Sequence, residues 1–174
     1  MLQDYSRYRI LQEFFREPRK SFQMREISRN IKLAQVSVIN HLNALLKEGL
    51  IVKDTKGIYP SFRANRDNEE FKILKKQDIL LRIHKSGLIK EIEEKARPNC
   101  IVLFGSASRG EDTESSDIDL FVQSEEANIN LKKYEKLLVY NVHILYGTDL
   151  KTLSKELLSN IINGIVVYGY LKVV

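Results

Sequence analysis

The chain has 174 residues and a formal net charge of +5, with 43% hydrophobic and 29% charged residues. These values are ordinary for globular proteins and exclude wholesale disorder. No apolar run approaches the roughly 20 residues that span a bilayer, so no membrane partner is expected. Cys100 is the only cysteine, which excludes an intramolecular disulfide framework. Because the N-terminus also lacks the layout of a signal peptide, the sequence predicts a cytoplasmic protein.

Charge is distributed unevenly along the chain. Residues 1–66 carry 13 Lys and Arg against 6 Asp and Glu, whereas residues 67–174 carry 15 against 17. A basic front half joined to a mildly acidic back half indicates two modules with different partners. Basic residues that only solvate a surface would give the same counts, so charge alone does not decide between these interpretations.

The front half shows three helical patterns followed by a hairpin. Apolar residues recur at helical spacing over residues 6–16, 24–30 and 34–48. The apolar positions of the third helical pattern are Val36, Val38, Ile39, Leu42, Leu45 and Leu46. Only Lys32 and Leu33 separate it from the second helix, a connection typical of a helix-turn-helix that offers its second helix to the DNA major groove. Strands are predicted over residues 50–52 and 58–62, with a turn at 54–57.

The stretch VSVINHLNALLKEGLIVKD resembles the recognition helix and wing of winged helix-turn-helix regulators. This resemblance implies a domain over residues 1–66 that binds double-stranded DNA. Side chains early in the recognition helix suit base edges, because Gln and Asn contact adenine bidentately: Gln35, Ser37, Asn40 and His41. Other side chains suit phosphates: Arg25, Arg29, Lys32, Lys53, Lys56 and Arg63. A domain kept for protein–protein contact is the alternative.

Residues 67–87 are predicted to form a helical linker between the two domains. The charged, helix-rich stretch from Asn68 to Arg97 is divided by Gly87, and its second helix is assigned to the following domain. Apolar residues on the first helix would suit a cover for the front domain or a contact with a second subunit. The sequence does not decide whether this helix is a mobile hinge or a dimer interface. A homodimer is expected only by analogy with winged helices that bind two half-sites.

The back half contains the stretch GSASRGEDTESSDIDLFV, which follows a buried apolar strand over residues 100–104. Asp117 and Asp119 lie two apart on a predicted strand, so both carboxylates project from the same face. Two such oxygen ligands can hold Mg²⁺, which takes its other ligands from water and nucleotide phosphates. Gly105 allows a sharp turn and a close approach by a triphosphate, and Ser106 can donate to a phosphate.

This stretch closely resembles the minimal, prokaryotic-type domains of the nucleotidyltransferase superfamily, which are DNA polymerase beta-like. The matching elements are Gly105-Ser106, Arg109-Gly110 and Ser116-Asp117-Ile118-Asp119-Leu120. The resemblance implies a small mixed-sheet α/β domain over residues 88–174. It also implies that Gly105, Ser106, Arg109 and Ser116 bind an NTP, while Asp117 and Asp119 bind Mg²⁺ or Mn²⁺. Members of the superfamily use two metals to assist attack on the α-phosphate, with release of pyrophosphate.

One element of the superfamily pattern is missing. Active members supply a third carboxylate from a later strand, and the matching strand here, residues 139–145, places Asn141 and His143 on one face. A neutral imidazole can bind a metal or accept a proton, but it adds no negative charge against Mg²⁺. His143 is therefore the third candidate catalytic residue, and the sequence predicts that nucleotide binding survives while transfer is weakened.

Together these features predict an α+β protein of two domains, a winged helix-turn-helix followed by a nucleotidyltransferase domain. The favoured function is a DNA-binding transcriptional regulator whose second domain binds nucleotide and Mg²⁺ with weakened catalysis. The alternative is an active nucleotidyltransferase that moves a nucleoside monophosphate from an NTP to a hydroxyl of a small molecule or a protein. The basic front half favours the regulator, and the intact Gly-Ser and Asp-x-Asp elements favour the enzyme.

Overall fold

A computed structural model describes residues 5–54, 57 and 59–172. The chain forms two compact units, Met1–Lys75 and Lys76–Val174. It is an α+β structure with two separate sheets, of three and four strands. Within the described ranges, no helix combines the length and the apolar character needed to cross a membrane.

The first unit contains three complete helices and a small sheet. Its elements are α1 (Ser6–Arg16), β1 (Phe22–Gln23), α2 (Met24–Ile31), α3 (Gln35–Lys47), β2 (Ile51–Asp54) and β3 (Ser61–Ala64), followed by the start of α4 (Glu69–Ser86). The strands are antiparallel in the order β1-β3-β2. Buried side chains from α1, α2 and α3 form one core, including Phe14, Ile27 and Leu42.

The connection between α2 and α3 is as short as the sequence predicts. Lys32 adopts a left-handed conformation with φ of 52°, which ends α2 and turns the chain toward α3. The hydroxyl of Ser28 donates to the carbonyl oxygen of Leu33 at 2.6 Å and fixes this turn. At the other end of α3, Gly49 has φ of 74° and lets the chain enter β2.

Three details of the first unit differ from the sequence prediction. The returning strand begins at Ser61, where its pairing with β2 starts opposite Asp54, so Tyr59 and Pro60 of the predicted strand lie before it. Ile58, where the predicted strand starts, lies outside the described residues. The predicted turn includes Lys56, which lies outside the described residues. Val36, one of the apolar positions of the third helical pattern, is 73% exposed, because it lies in the first turn of α3, away from the buried side. The pair β1–β3 was not predicted at all.

The second unit is built around a four-stranded sheet in the order β6-β5-β4-β7. Its elements after α4 are α5 (Leu88–Ala96), β4 (Cys100–Phe104), α6 (Gly105–Arg109), β5 (Ile118–Val122), α7 (Lys132–Leu138), β6 (Val142–Tyr146), a short 3-10 helix (Leu150–Thr152), α8 (Lys155–Ile162) and β7 (Ile165–Gly169). β4 pairs antiparallel with β5 and β7, whereas β5 and β6 are parallel. Gly87 separates α4 from α5 with φ of 81°, at the position that the sequence predicts.

Strand β4 is buried on both faces of the sheet. Ile101 and Leu103 belong to one core cluster, and Cys100, Val102 and Phe104 belong to another on the opposite face. Burial raises the pKa of the Cys100 thiol to about 11, so this cysteine is a core residue and not a reactive thiolate. Residues 119 and 121 of β5 face the same side as Phe104, which directs Asp119 toward the end of that face.

The helix predicted as a linker contributes to the cores. Phe71, in the first part of α4, is buried in the core of the first unit. Ile79 and Ile83, in the second part, are buried in the core of the second unit. Each half of α4 is therefore part of a folded unit, because its apolar residues are needed to complete that unit's interior.

Candidate active site

The centre of the candidate site is the contact between Gly105 and Asp119. The antiparallel register of β4 and β5 places Phe104 opposite Asp119, so the residue after Phe104 lies beside the Asp119 carboxylate. Gly105 has φ of 73°, and a Cβ atom there would lie 2.5 Å from Oδ2 of Asp119. Only glycine fits this position, because it tolerates the left-handed backbone and leaves room for the carboxylate.

Asp117 lies immediately before β5, not on it as the sequence predicts. The ladder between β5 and β6 starts where the N–H of Ile118 donates to the carbonyl oxygen of Asn141 at 2.9 Å. Asp117 is exposed, and its Oδ1 accepts a hydrogen bond from Nδ2 of Asn141 at 3.1 Å. The carboxylate is thus oriented by a side chain from the neighbouring strand.

His143 lies directly beside Asp119 in the sheet. The parallel register of β5 and β6 pairs these two residues, so their side chains project from the same face. Nδ1 of His143 is 3.8 Å from Oδ1 of Asp119, which is too long for a hydrogen bond. The imidazole is 67% exposed and the carboxylate 29% exposed. His143 therefore stands next to the Asp pair with most of its ring open to an incoming molecule.

The electrostatics of the site favour a bound cation. Partial burial raises the pKa of Asp119 above its ordinary value, an effect that His143 opposes and the nearby carboxylate of Asp117 strengthens. Two like charges held close together repel each other, and a divalent cation between them would offset this repulsion.

The residues present fit one hard divalent cation, with Asp117 and Asp119 as its protein ligands. Carboxylate oxygens are the ligands that Mg²⁺ and Mn²⁺ prefer, and Mg²⁺ usually completes its shell with water and phosphate oxygens. No cluster of three or more His, Cys, Asp or Glu side chains that could hold a metal ion occurs among the residues that the structure describes. The third carboxylate expected for a two-metal site is absent here, since Asn141 and His143 occupy the adjacent strand.

The other predicted nucleotide ligands lie in α6 and in the loop between α6 and β5. Ser106 is half-buried in the first turn of α6. The guanidinium Nε of exposed Arg109 donates to Glu111 at 2.8 Å. Ser116 is used locally, because its hydroxyl accepts from the N–H of Thr113 at 2.9 Å and closes the turn before Asp117.

A buried tyrosine–carboxylate pair supports the loop that leads to Asp117. The hydroxyl of Tyr140 donates to Oδ2 of Asp112 at 2.7 Å, and both residues are buried. Burial raises the pKa of Tyr140 far above its ordinary value, and the charge of Asp112 adds to this shift. The structure makes Asp112 an anchor of this loop. No local pattern could reveal a contact between residues so far apart along the chain.

Two clefts adjoin the site, and neither was predicted. The first has a volume of 390 Å³ and is lined by Ser116, Asn141, Lys132 and Lys136, among others. Both lysines are exposed on α7 and make no ion pair with any described residue. The second has a volume of 620 Å³ and is lined by residues 126–129, Leu131 and four residues of β6, including His143.

The residues predicted to contact DNA lie on more than one side of α3. Gln35 and Asn40 are exposed, as are the predicted phosphate contacts Arg25 and Lys53. Ser37 is half-buried, and His41 lines a separate cavity of 520 Å³ together with residues of α1. His41 therefore lies apart from the exposed side of the helix that carries Asn40. Val36 and Asn43, which are exposed, were not among the main candidates.

Comparisons with known proteins concern the second unit. The family described as "Polymerase beta, Nucleotidyltransferase" matches residues 85–171. The chain is also similar to the "Putative protein adenylyltransferase" of Methanocaldococcus jannaschii. The two are 38% identical over 82 residues, a stretch that covers 47% of this chain and 77% of the relative. The residues matched by the family include Gly105, Asp117 and Asp119 of the candidate site.

Proposed function

Since this chain belongs to the polymerase beta-type nucleotidyltransferase family, we propose that its second unit is an active nucleotidyltransferase that moves a nucleoside monophosphate from an NTP to a hydroxyl group. The observation that carries this proposal is the contact between Gly105 and the Asp119 carboxylate, with Asp117 and His143 beside it. The name of the relative supports an adenylyl group as the group transferred and a protein as the acceptor. ATP is accordingly the proposed donor.

The reaction exchanges one phosphorus–oxygen bond for another. The acceptor hydroxyl oxygen forms a bond to the α-phosphorus of the NTP, and the bond from that phosphorus to the bridging oxygen breaks. Pyrophosphate leaves with the electron pair of the broken bond, and the hydroxyl proton passes to a base of the protein. The product is a phosphodiester between the nucleoside and the acceptor.

The residues of the site divide these tasks among themselves. Gly105 leaves room for the Asp119 carboxylate beside the turn, and Ser106 would donate a hydrogen bond to a phosphate oxygen. Lys132 and Lys136 in the adjoining cleft add positive charge that suits phosphates. Asp117 and Asp119 would hold Mg²⁺ or Mn²⁺, which would neutralise charge on the phosphates when bound.

His143 is the proposed proton acceptor. It occupies the strand position where the family supplies a third carboxylate, and it faces the same side of the sheet as Asp119. Its imidazole is open to the 620 Å³ cleft, from which an acceptor hydroxyl can approach. Histidine is the side chain most often used as a general base, so its presence supports an active enzyme and not the weakened one that the sequence favoured.

Label transfer tests this proposal directly. The full chain is incubated with ATP labelled at the α-phosphorus, Mg²⁺ or Mn²⁺ and cell extract, and covalent label and pyrophosphate release are measured. We expect both with the native chain and neither with the double variant Asp117→Asn, Asp119→Asn. Glu125→Gln, an exposed acid of the same unit, is the matched control and should keep full transfer. Absence of label on every acceptor would refute the proposal.

We further propose that the first unit is a winged helix-turn-helix that binds double-stranded DNA. Three helices, the short turn at Lys32 and a hairpin with a third strand occur in the order that such domains have. Gln35 and Asn40 of α3 are exposed, and so are Arg25 and Lys53, which suit phosphates. A homodimer on two half-sites and a role in regulating transcription belong to this proposal by analogy alone.

A further inference from the structure

Strand β6 is an edge of the four-stranded sheet and leaves part of its backbone without a partner. The carbonyl oxygen of Asn141 accepts from Ile118 at 2.9 Å, and the N–H of Gly147 donates to Val122 at 3.2 Å. Backbone groups of alternate residues point to opposite sides of a strand, so residues 143 and 145 also face β5. Residues 142, 144 and 146 therefore direct their N–H and C=O groups away from the sheet.

The outward groups are free for most of the strand. The N–H of Val142 donates to Oε1 of Glu135 at 3.2 Å. The outward backbone groups of Ile144 and Tyr146 make no hydrogen bond within the described part of the chain. Proteins usually protect such an edge with lysine, proline or a bulge, yet none of these occurs within β6. The free N–H and C=O groups of these two residues can therefore form hydrogen bonds with another extended chain.

The 620 Å³ cleft lies along this free edge. Its walls are the side chains of β6 and the segment of residues 126–131, whose apolar members include Ile129 and Leu131. At the Tyr146 end, the Tyr146 hydroxyl donates to the carbonyl oxygen of Ala127 at 3.1 Å and fixes the wall in place. The cleft thus combines a backbone edge, an apolar wall and the imidazole of His143.

We propose that the acceptor of the transfer reaction is an extended polypeptide segment that pairs with the outer edge of β6. This inference rests on the proposed function. Neighbouring strands lie about 4.8 Å apart, so the residue paired with His143 places its side chain next to the imidazole. A Tyr, Ser or Thr at that position presents its hydroxyl to His143 on the active face of the sheet.

The cleft also specifies the residues around the acceptor hydroxyl. Side chains alternate between the two faces of a strand, so the neighbours of the hydroxyl residue point toward Ile129, Leu131 and Ile144 and are apolar. Glu126 lines the cleft, whereas no Lys or Arg among the described residues does, which favours a basic residue in the bound segment. A small-molecule acceptor would use neither the apolar wall nor the free backbone groups.

Synthetic peptides with blocked backbone groups test this mode of binding. Three peptides carry a central Tyr, Ser or Thr between two valines, with a lysine at each end, and kcat/KM for adenylyl transfer is measured with the full chain. The best peptide is then N-methylated at one backbone nitrogen at a time. We expect losses of about tenfold or more at every second position and small effects between them, because only alternate N–H groups face β6.

A pair of variants at position 144 tests the same edge from the side of the enzyme. Ile144→Pro removes an outward N–H and covers the edge with the ring, and proline is tolerated at such edge positions. Ile144→Ala loses the side chain but keeps the N–H, so it is the matched control. Relative to Ile144→Ala, we expect Ile144→Pro to lower peptide transfer about tenfold further. Transfer to glycerol and the Kd for ATP should be equal in the two variants, which also reports on folding.

Several results would overturn the inference. N-methylation without a two-residue period, or equal peptide transfer by the two variants, would show that β6 does not pair with the acceptor. Transfer to glycerol or free tyrosine but to no peptide would leave the proposed function intact and refute the polypeptide acceptor. If the native chain is a dimer and Ile144→Pro a monomer, a second copy occupies the edge. Absence of transfer to every acceptor would refute the proposed function as well.

Discussion

A Cβ atom at Gly105 would lie 2.5 Å from Oδ2 of Asp119, closer than any non-bonded carbon and oxygen can approach. The Asp119 carboxylate therefore occupies the place that a side chain at position 105 would take, and it can do so only because residue 105 is glycine. The backbone at Gly105 and the carboxylate of Asp119, the proposed metal ligand, are in direct contact, so a change at Gly105 should shift Asp119.

Gly105→Ala is expected to damage the site more than the fold. The left-handed φ of 73° costs alanine about 1–2 kcal/mol of folding free energy, and the new methyl group must also displace Asp119. Displacement of a reacting group by about 1 Å can cost about 100-fold in rate, so kcat/KM should fall by that order. Gly87→Ala is the control, because φ there is 81° and nothing lies within 4 Å of the added Cβ. Chemical denaturation measures the loss of folding stability, and label transfer measures the loss of activity. Equal activity losses in Gly105→Ala and Gly87→Ala would contradict this prediction.

His143 and Asn141 should differ in what their removal does. His143→Ala removes the proposed base and should lower kcat by about 10²–10⁴ with little change in the Kd for ATP. Asn141→Ala removes only the hydrogen bond to Asp117, so it should weaken Mg²⁺-dependent ATP binding by about tenfold or less. Single-turnover kinetics and equilibrium binding separate these outcomes. His143→Asp, which restores the family's carboxylate, should retain transfer, whereas an unchanged kcat in His143→Ala would show that the imidazole is not acting as a base.

Glu91 should make the free energy of unfolding of the second unit decrease as the pH falls. Its carboxylate accepts from Lys133 and Tyr134 and pairs with Lys95, and these contacts lower the pKa of Glu91 to about 2. Because the folded pKa lies below the unfolded value of 4.5, the stabilisation is complete above pH 4.5 and disappears as the pH falls through about 2. Glu91→Gln should lower stability by about 1 kcal/mol or more at neutral pH.

The test of this prediction is a series of melting curves between neutral pH and pH 2. The difference in Tm between the native chain and Glu91→Gln should shrink toward the acid end. Glu94→Gln is the control, since Glu94 is exposed and its Oε1 lies 3.8 Å from Lys90. A difference for Glu91→Gln that is constant with pH would indicate lost packing instead of lost charge.

DNA binding by the first unit should depend steeply on salt. A chain that neutralises phosphates releases counterions, so the logarithm of the binding constant falls linearly with the logarithm of the salt concentration. Arg25→Ala and Lys53→Ala should each reduce that slope by about 1 on a duplex of mixed sequence. Lys155→Ala, an exposed cation of the second unit, should leave it unchanged. Fluorescence anisotropy with the full chain measures the slope of log binding constant against log salt concentration. A binding constant that does not change with salt would contradict a phosphate interface.

Local patterns in the sequence predicted much of the fold. Helix α1 spans the residues that its apolar spacing indicates, and Gly87 divides α4 from α5 because its left-handed backbone interrupts the helix. The Gly105 turn and the Asp pair were also predictable, since each depends on chemistry that a few adjacent residues carry. These features share one property: their cause lies within a single turn or strand.

Features that depend on distant residues were not predictable. The contact between Asp112 and Tyr140 joins residues 28 apart, and neither shows a pattern of its own. Asp117 falls before β5 because the ladder begins at the Ile118 N–H, which only the position of Asn141 determines. The clefts beside β6 arise from the packing of α7 and its preceding segment, and no periodicity encodes a gap between elements.

The hydrogen bond from Tyr140 to Asp112 has a consequence for substrate recognition. It joins the segment that ends in Asp117 to the turn just before the strand that carries His143, so these two parts of the site are connected in the free protein. Nucleotide binding then need not order this loop, so little binding free energy is lost to the entropy of loop ordering. Differences in affinity among ATP, GTP and other donors should consequently reflect the direct contacts that each nucleotide makes with the site. A mutation that removes one of those contacts should change nucleotide selectivity without a compensating rearrangement of the loop.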